Sequence, residues 1–299
     1  MVLVPRARIV FLNFTPYSFI FLFFYLLSLL SLFSVSDFYV FWLVIEIMML
    51  FFMGFCFSTF SLGFSSLIVY FLLQTISSLS LFVFYSFSLS LFFTFFLLLK
   101  LSMFPFYFWF LSVVYFFSNF AMFLSSSLHK LPSFLVIFLF FEAVSIPVLV
   151  LASLASLVFS FGFMLSTSDF RFLLLSSSVG NNGWFFLSAL CSMELFIFYF
   201  LLYSFFLFLV ISSFGATSLS LASHSGAPLG VFIGFLVLLS GFPPLPLFFV
   251  KLFVVYYSSF FVATHYIFLF MAFSSLLLAG YFRFVLSLSV SCFSHRVSL

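Results

Sequence analysis

The hydrophobic pattern of the chain consists of long apolar stretches separated by short polar, Pro, Gly and Ser segments. A helix needs roughly 20 apolar residues to cross the hydrocarbon core of a bilayer. Within that core every backbone polar group must be bonded inside the protein, which favours helices. Dividing the sequence at its interruptions predicts about ten membrane-spanning helices, at 10–34, 38–60, 64–86, 88–112, 126–147, 149–167, 172–192, 194–213, 229–247 and 250–287.

The polar connections between these spans are short, for example 167–171 and 215–228, and they leave no room for a large extramembrane domain. The pattern therefore predicts one polytopic all-α membrane domain over residues 1–299. Two spans combine a lysine with helix breakers: Lys100 with Pro105, and Lys251 with Gly241, Pro243 and Pro244. Paired interrupted helices indicate ion sites in transporters. We therefore expect two interrupted helices.

The composition supports a lipid bilayer as the surroundings, because 67% of residues are hydrophobic and only 4% are charged. Soluble domains carry about 25% charged residues. The net charge of +3 comes from residues spread along the chain, and no basic cluster indicates nucleic-acid binding. The sequence contains no P-loop, GxGxxG, HExxH or CxxC pattern. We therefore expect this chain to bind no cofactor and no metal.

The charged residues inside predicted spans are the candidate functional groups, because a charge at a helix centre costs roughly 2.5–3.5 kcal/mol. Glu46 and Lys100 lie deep in their spans and have opposite charge, which predicts a buried pair. Lys130 is either part of a proton path or an interfacial anchor, and Lys251 follows a region of broken helix. Glu142 is predicted to be intramembrane. For each of them a purely structural interhelical contact is the alternative.

The other polar side chains are predicted at span ends or as structural contacts. Asp169, Arg171 and Arg283 are expected at the ends of spans, and Glu194 is expected at an interface. Gln74 is expected to form an interhelical hydrogen bond. Lysine and carboxylate groups inside a membrane are typical of ion and proton paths. The residues alone thus predict an ion or proton translocator.

Six segments in order resemble subunit 2 of mitochondrial NADH–ubiquinone oxidoreductase (complex I), a member of the antiporter-like proton-pumping family. They span about residues 40–285, nearly the whole chain. The segments are Trp42–Leu50 (W-x-x-x-E-x-x-x-L), Tyr70–Gln74 (Y-F-L-x-Q), Lys100–Trp109 (K-x-G-x-x-P-x-H-x-W), Lys130–Pro132 (K-x-x-P or K-L-A-P), Arg171–Trp184 (L-R-K-x-x-A-Y-S-S-x-x-x-x-G-W) and Ser240–Lys251 (G-G-x-P-P-x…K).

The resemblance implies an antiporter-like fold and a membrane-arm subunit of complex I in the mitochondrial inner membrane. It implies that Glu46 and Lys100 form a central ion pair, that Lys130 links the proton path, and that Lys251 is its terminal lysine. NADH, FMN, iron–sulfur clusters and ubiquinone would be bound by other subunits. The implied partners are the other membrane-arm subunits and the lipid bilayer.

The chain departs from the family pattern at several polar positions: Ser102 replaces Gly, Tyr107 replaces His, Phe172 replaces a basic residue, Ser176 replaces Tyr, and Asn181 replaces His. Residues 1–12 are a possible N-terminal extension. Two other functions fit the same charged helices. One is a stand-alone monovalent cation/proton antiporter subunit, and the other is a purely structural assembly subunit.

Overall fold

The computed structural model describes residues 15–59, 64–167, 169–220, 227–260 and 262–297. The possible extension at 1–12 lies outside them. The described residues form α-helices and short 3-10 helices joined by short segments, and they contain no β-strand. The α-helices are α1 (Pro16–Ser31), α2 (Phe38–Thr59), α3 (Phe64–Ser86), α4 (Ser90–Leu101), α5 (Tyr107–Val114), α6 (Asn119–Ser126), α7 (Leu131–Leu139), α8 (Ile146–Ser166), α9 (Phe170–Cys191), α10 (Met193–Ser220), α11 (Ala227–Ser240), α12 (Pro246–Ser258) and α13 (Thr264–Val297).

Seven helical segments in the described ranges are long and apolar enough to cross a membrane, which confirms an all-α multi-pass membrane protein. The two predicted interruptions are also present. Residues 102–106 separate α4 from α5, and residues 241–245 separate α11 from α12. The predicted division at 247–250 is wrong, because helix α12 begins at Pro246 and runs through it. Proline fits the first turn of a helix, where its missing N–H has no intrahelical partner.

Helix α9 lies at the centre of the protein, in contact with α5, α7, α8, α10, α12 and α13. Nearly every side chain from Leu173 to Ala189 is buried, including Asn181 and Asn182. This helix carries serine and asparagine side chains that would be costly in lipid. Its neighbours cover them, and polar groups that face other helices can form hydrogen bonds. The most polar long helix is therefore the innermost one.

The span that carries Lys130 differs from its prediction at both ends. The predicted span was 126–147, but α6 begins at Asn119 and α7 ends at Leu139. Ser118 caps α6 by accepting a hydrogen bond from the backbone N–H of Ala121 at 3.4 Å, as serine commonly does at a helix start. Of the seven candidate spans, this one has the largest share of residues buried inside the protein. The share is 78%, compared with 28% for the spans of α1 and α13.

A third interruption, which the sequence did not predict, lies inside this span. Helix α6 ends at Ser126, and a short 3-10 helix at Leu128–Lys130 leads into α7. Ser126 and Ser127 donate hydrogen bonds back to the carbonyl groups of Met122 and Phe123, at 2.7 and 2.6 Å. Such serine contacts compete with the helix ladder and bend helices. Lys130 is thus positioned by an irregular turn in the middle of a buried span.

Candidate functional site

At the α4–α5 interruption, helix α4 ends at Leu101, and the next residue, Ser102, has a left-handed backbone conformation. Ser102 has a φ of 53°, and the peptide bond between Phe104 and Pro105 is cis. The N–H of Met103 donates to the Leu98 carbonyl at 3.0 Å, and the N–H of Ser102 donates to the Leu99 carbonyl at 3.2 Å. This pair of bonds is the Schellman arrangement that ends many helices. It leaves the last carbonyl groups of α4 to find partners elsewhere.

Two distant amide side chains bond those carbonyl groups. Gln74 Nε2 on α3 donates to the Lys100 carbonyl at 3.5 Å, and Asn182 Nδ2 on α9 donates to the Leu101 carbonyl at 2.9 Å. The first contact confirms the predicted interhelical role of Gln74. Because lipid offers no alternative partner, these two amides allow α4 to end inside the membrane. The broken helix therefore depends on α3 and α9.

We predict that Ser102→Gly stabilises the protein by about 1 kcal/mol, because a non-glycine residue in the left-handed conformation costs roughly 1–2 kcal/mol and part of the gain is offset by glycine's entropy. The measurement is the midpoint of thermal unfolding in detergent. Ser102→Ala is the matched control, since alanine keeps the Cβ atom and removes only the hydroxyl group. An equal rise in both variants would contradict the proposed strain at this turn.

Lys100 and Glu46 lie near each other but do not form the expected direct ion pair among the described residues. The Lys100 side chain, in the last turn of α4, is only 7% exposed. It is close enough to interact electrostatically with the Glu46 carboxylate. Glu46 Oε1 is buried and has no hydrogen-bond partner in the described structure. The two charges are therefore coupled through space, and their interaction is sensitive to small movements of α2 against α4.

Lys130 is fully enclosed, which excludes the interfacial-anchor alternative. It is 3% exposed. Its Nζ donates to the Ser178 carbonyl at 3.2 Å, the Ser178 hydroxyl at 3.4 Å and Asn182 Oδ1 at 3.0 Å. The Phe110 ring lies 4.7 Å from the same nitrogen, within the range of a cation–π contact. All of these groups are neutral, so no carboxylate of the described part of the chain fixes the charge of Lys130.

Asn182 connects the surroundings of the first two lysines. Its Oδ1 accepts from Lys130 Nζ, and its Nδ2 donates to the Leu101 carbonyl beside Lys100. The amide orientation follows from chemistry, because an ammonium group only donates and a carbonyl oxygen only accepts. Asn182 was not among the functional residues predicted from the sequence. Two consecutive asparagines inside an apolar helix were the signal that could have identified it.

Lys251 lies at the second broken helix, where its side chain reaches back to the end of α11. Gly241 has a φ of +72°, and a Cβ atom built on it would lie 3.2 Å from Lys251 Nζ. The nitrogen is also 5.6 Å from the centre of the Trp184 ring. Both Lys100 and Lys251 thus place their charge near the C-terminal end of the half-helix that precedes a break, where the helix dipole favours a cation.

His129 occupies an aromatic enclosure beside Lys130. Its ring centre lies 4.9 Å from Phe52, 5.9 Å from Tyr70 and 6.3 Å from Tyr25. It is 6% exposed, and it interacts electrostatically with Lys100. The sequence left the role of His129 open. The structure places it in the same 3-10 turn as Lys130 and within electrostatic range of Lys100.

Several buried polar atoms in this region have no partner among the described residues: Glu46 Oε1, Gln74 Oε1, His129 Nδ1, Tyr25 Oη and Trp109 Nε1. Leaving such groups unbonded costs about 1–3 kcal/mol each. Buried polar groups of this kind are usually bonded by ordered water. The chemistry of the region between Lys100 and His129 therefore suits internal hydration.

The structure also describes the surroundings of Arg171, Glu194 and Glu142. Arg171 confirms its predicted place at a span end, because its guanidinium donates to the carbonyl groups of Tyr115 and Phe117 at 2.9 and 3.2 Å and to Asn119 Oδ1 at 2.7 Å. Glu194 is exposed in the first turn of α10. The intramembrane prediction for Glu142 is wrong. It is exposed in the short connection between α7 and α8, which begins at Phe140.

No protein-family model and no curated protein sequence matches the chain. Among solved structures, the chain is similar to a chain of respiratory complex I from Thermus thermophilus, determined with bound aureothin. The TM-score is 0.77 at 17% sequence identity, and the match covers 91% of this chain and 70% of the Thermus chain. This chain has the fold of a complex I chain. The predicted antiporter-like membrane fold is thereby confirmed.

Among the described residues none of the three lysines is held in a direct carboxylate contact, and Lys130 has neutral acceptors beside it. An ammonium–carboxylate contact would be the stronger, charge-assisted type. Lys100, Lys130 and Lys251 each lie at or beside one of the three helix interruptions. Irregular backbone at membrane depth is tolerated where protein or water bonds it. The three lysines therefore all lie beside irregular backbone.

Proposed function

We propose that this chain is a proton-translocating membrane-arm subunit of respiratory complex I in the mitochondrial inner membrane. The proposal rests on the complex I fold together with three lysines at three helix interruptions, of which Lys100 and Lys130 are buried and Lys251 is half-buried. The observation that carries it is the Asn182 side chain, which bonds both Lys130 and the broken end of α4 beside Lys100. Two lysine environments on different helices are thereby linked through one amide.

In this function, electrons pass from NADH to ubiquinone in other subunits, which hold the FMN and the iron–sulfur clusters. This chain contributes Glu46, Lys100, Lys130 and Lys251 as the groups that hold and release protons. The helix breaks at Pro105 and at Gly241, Pro243 and Pro244 give the backbone freedom that such sites need. Its partners are the neighbouring membrane-arm subunits and the lipid.

The coupling step is electrostatic. Attraction between Glu46 and Lys100 exists only while the lysine is protonated, so a movement that separates α2 from α4 favours release of the proton. A proton that reaches Lys130 is held by Ser178 and Asn182, which are neutral acceptors. Transfer onward to Lys251 completes the path. Coupling of this kind requires an element with two states, biased from both ends, and the α4–α5 interruption is our candidate.

The test is to purify the tagged chain from membranes in mild detergent. We expect it to co-purify with flavin, iron–sulfur chromophores and NADH–ubiquinone reductase activity, in the mitochondrial fraction. If the chain is instead purified alone and exchanges Na⁺ or K⁺ for protons in liposomes, it is a stand-alone antiporter and the proposal is wrong. The matched preparation is the same membrane carrying the untagged chain.

A further inference from the structure

Trp184 is a fully buried tryptophan whose indole N–H group is unbonded in the described structure. The residue lies on α9 and is 0% exposed. Its Nε1 atom has no hydrogen-bond partner among the described residues. A buried tryptophan usually bonds this group, and leaving it unbonded is unfavourable. Hydrogen bonding therefore gives no reason for an indole at this position.

The face of the Trp184 ring lies next to a cation. Lys251 Nζ, on α12, is 5.6 Å from the ring centre, inside the distance of about 6 Å at which an ammonium group is attracted to an aromatic face. Tryptophan has the strongest such attraction of the aromatic side chains, and the attraction increases away from water. Helix α12 packs directly on α9. The contact with Lys251 thus gives a reason for tryptophan.

Close packing fixes the Trp184 ring in place. The Phe270 ring on α13 meets it edge to face, with centres 5.9 Å apart and an angle of 74°. The preceding residue, Gly183, leaves room for this contact, because a Cβ atom there would lie 3.2 Å from Phe270 and 3.1 Å from the Ser153 carbonyl oxygen. Side chains in close-packed interiors sit in single rotamer minima. The ring therefore offers Lys251 a fixed surface.

No described carboxylate competes with the ring for Lys251. Helix α12 packs against α9, α10 and α11. The charged residues on those helices are Arg171 and Glu194, in the first turns of α9 and α10, and neither forms an ion pair with Lys251. A lysine paired with a buried carboxylate leaves an uncompensated charge when it loses its proton. A lysine paired with a ring leaves two neutral groups, which suits a lysine that releases protons.

Lys130 has neutral partners of the same kind. Its Nζ lies 4.7 Å from the Phe110 ring and donates to Asn182 on α9. Helix α9 therefore provides a neutral partner for each of two lysines, the Asn182 amide for Lys130 and the Trp184 ring for Lys251.

We propose that Trp184 is a positioning residue for Lys251, and that it holds the protonated side chain at the end of α11 through a cation–π contact. Without its proton the amine loses this attraction, so release of the proton also frees the side chain. The contact stands on the geometry alone, whereas its role in proton release rests on the proposed function.

A double-mutant cycle between Trp184→Phe and Lys251→Leu tests the contact, with the midpoint of thermal unfolding in detergent as the measurement. Phenylalanine keeps a ring with a weaker cation–π attraction, and leucine is chosen because the sulfur of methionine itself binds aromatic rings. We expect the decrease in midpoint caused by Trp184→Phe to be about halved when leucine occupies position 251. It should persist in Lys251→Arg, because a guanidinium group also stacks on aromatic faces.

Phe185→Leu is the matched control for the cycle. Phe185 is the next residue on α9, it is 1% exposed, and its ring neighbours lie on α7 and α10. Its effect on the midpoint should be the same with lysine or leucine at position 251. If Trp184→Phe also has the same effect in both backgrounds, the ring only fills space and the cation–π contact is refuted.

Proton translocation in liposomes tests the positioning role. We expect it to be about threefold slower in Trp184→Phe and about tenfold slower in Trp184→Leu, a tenfold change being equivalent to about 1.4 kcal/mol. Normal translocation in both variants would overturn the positioning role, even with the expected result of the cycle. Normal translocation in Lys251→Leu would instead count against the proposed function of this lysine, and the cycle would still decide on the contact.

Discussion

Replacing Lys100 with methionine is expected to slow proton translocation by about 100-fold in the assembled complex, because a positioned proton donor or acceptor contributes roughly 10²–10⁴-fold to such a step. Methionine is similar in length, apolar and adaptable in packing, and the Lys100 side chain is buried at the end of α4. We therefore expect the helix break to persist. The measurement is the number of protons moved per electron during NADH oxidation in liposomes.

Two further variants separate proton transfer from a structural charge contact. Lys100→Arg keeps the positive charge, but an arginine side chain does not release its proton in proteins, so we expect assembly without pumping. In Lys100→Met, the buried Glu46 oxygen keeps its charge without the neighbouring cation, which is unfavourable. Adding Glu46→Gln should remove this unfavourable contribution without restoring pumping. A normal proton-to-electron ratio in Lys100→Met would show that Lys100 is not part of the relay.

The positions of the helix breaks could be predicted from the sequence because their causes are local. Proline removes a backbone donor and clashes with the preceding turn, so Pro105, Pro243 and Pro244 mark their interruptions directly. The burial of Lys100 also follows from its long apolar context, because Lys100 lies too far from the ends of the predicted span 88–112 to reach water. In these cases a single residue type determines the local structure.

The third interruption could not be predicted in this way, because it depends on partners that are far away in the sequence. The turn before Lys130 contains no glycine or proline, and its serines are compatible with either a regular or a bent helix. Lys130 donates hydrogen bonds to Ser178 and Asn182 on α9, and these bonds connect the turn to that helix. Such long-range contacts are invisible in a hydrophobic pattern.

The error at Glu142 has a different physical origin. Apolar residues at 134–141 continue the hydrophobic pattern beyond the end of α7 at Leu139, so hydropathy alone extends the helix through Glu142. Pro147 lies in the first turn of α8 and marks the start of a new helix there. The proline was therefore a better indicator of the boundary than the apolar run.

Replacing Gly241 with valine is expected to reduce both the stability of the protein and proton translocation. The added side chain strains the backbone, and its Cβ atom crowds Lys251. A β-branched residue at a φ of +72° is strained, at a cost of about 1–3 kcal/mol. The new Cβ atom would also lie 3.2 Å from Lys251 Nζ and displace it from the end of α11. We expect a lower thermal unfolding midpoint together with a lower number of protons moved per electron.

Gly234→Val is the matched control for this variant, because position 234 lies on the same helix, has no atom within 4 Å of an added Cβ and has no positive φ. Equal stability of the two variants would contradict the left-handed turn at Gly241. The two helix breaks have different residues at their left-handed position, Ser102 in the first and Gly241 in the second. Lys100 lies on the helix that Ser102 ends, whereas Lys251 approaches Gly241 from the following helix. A side chain at 102 therefore costs only backbone strain, but one at 241 also displaces a lysine.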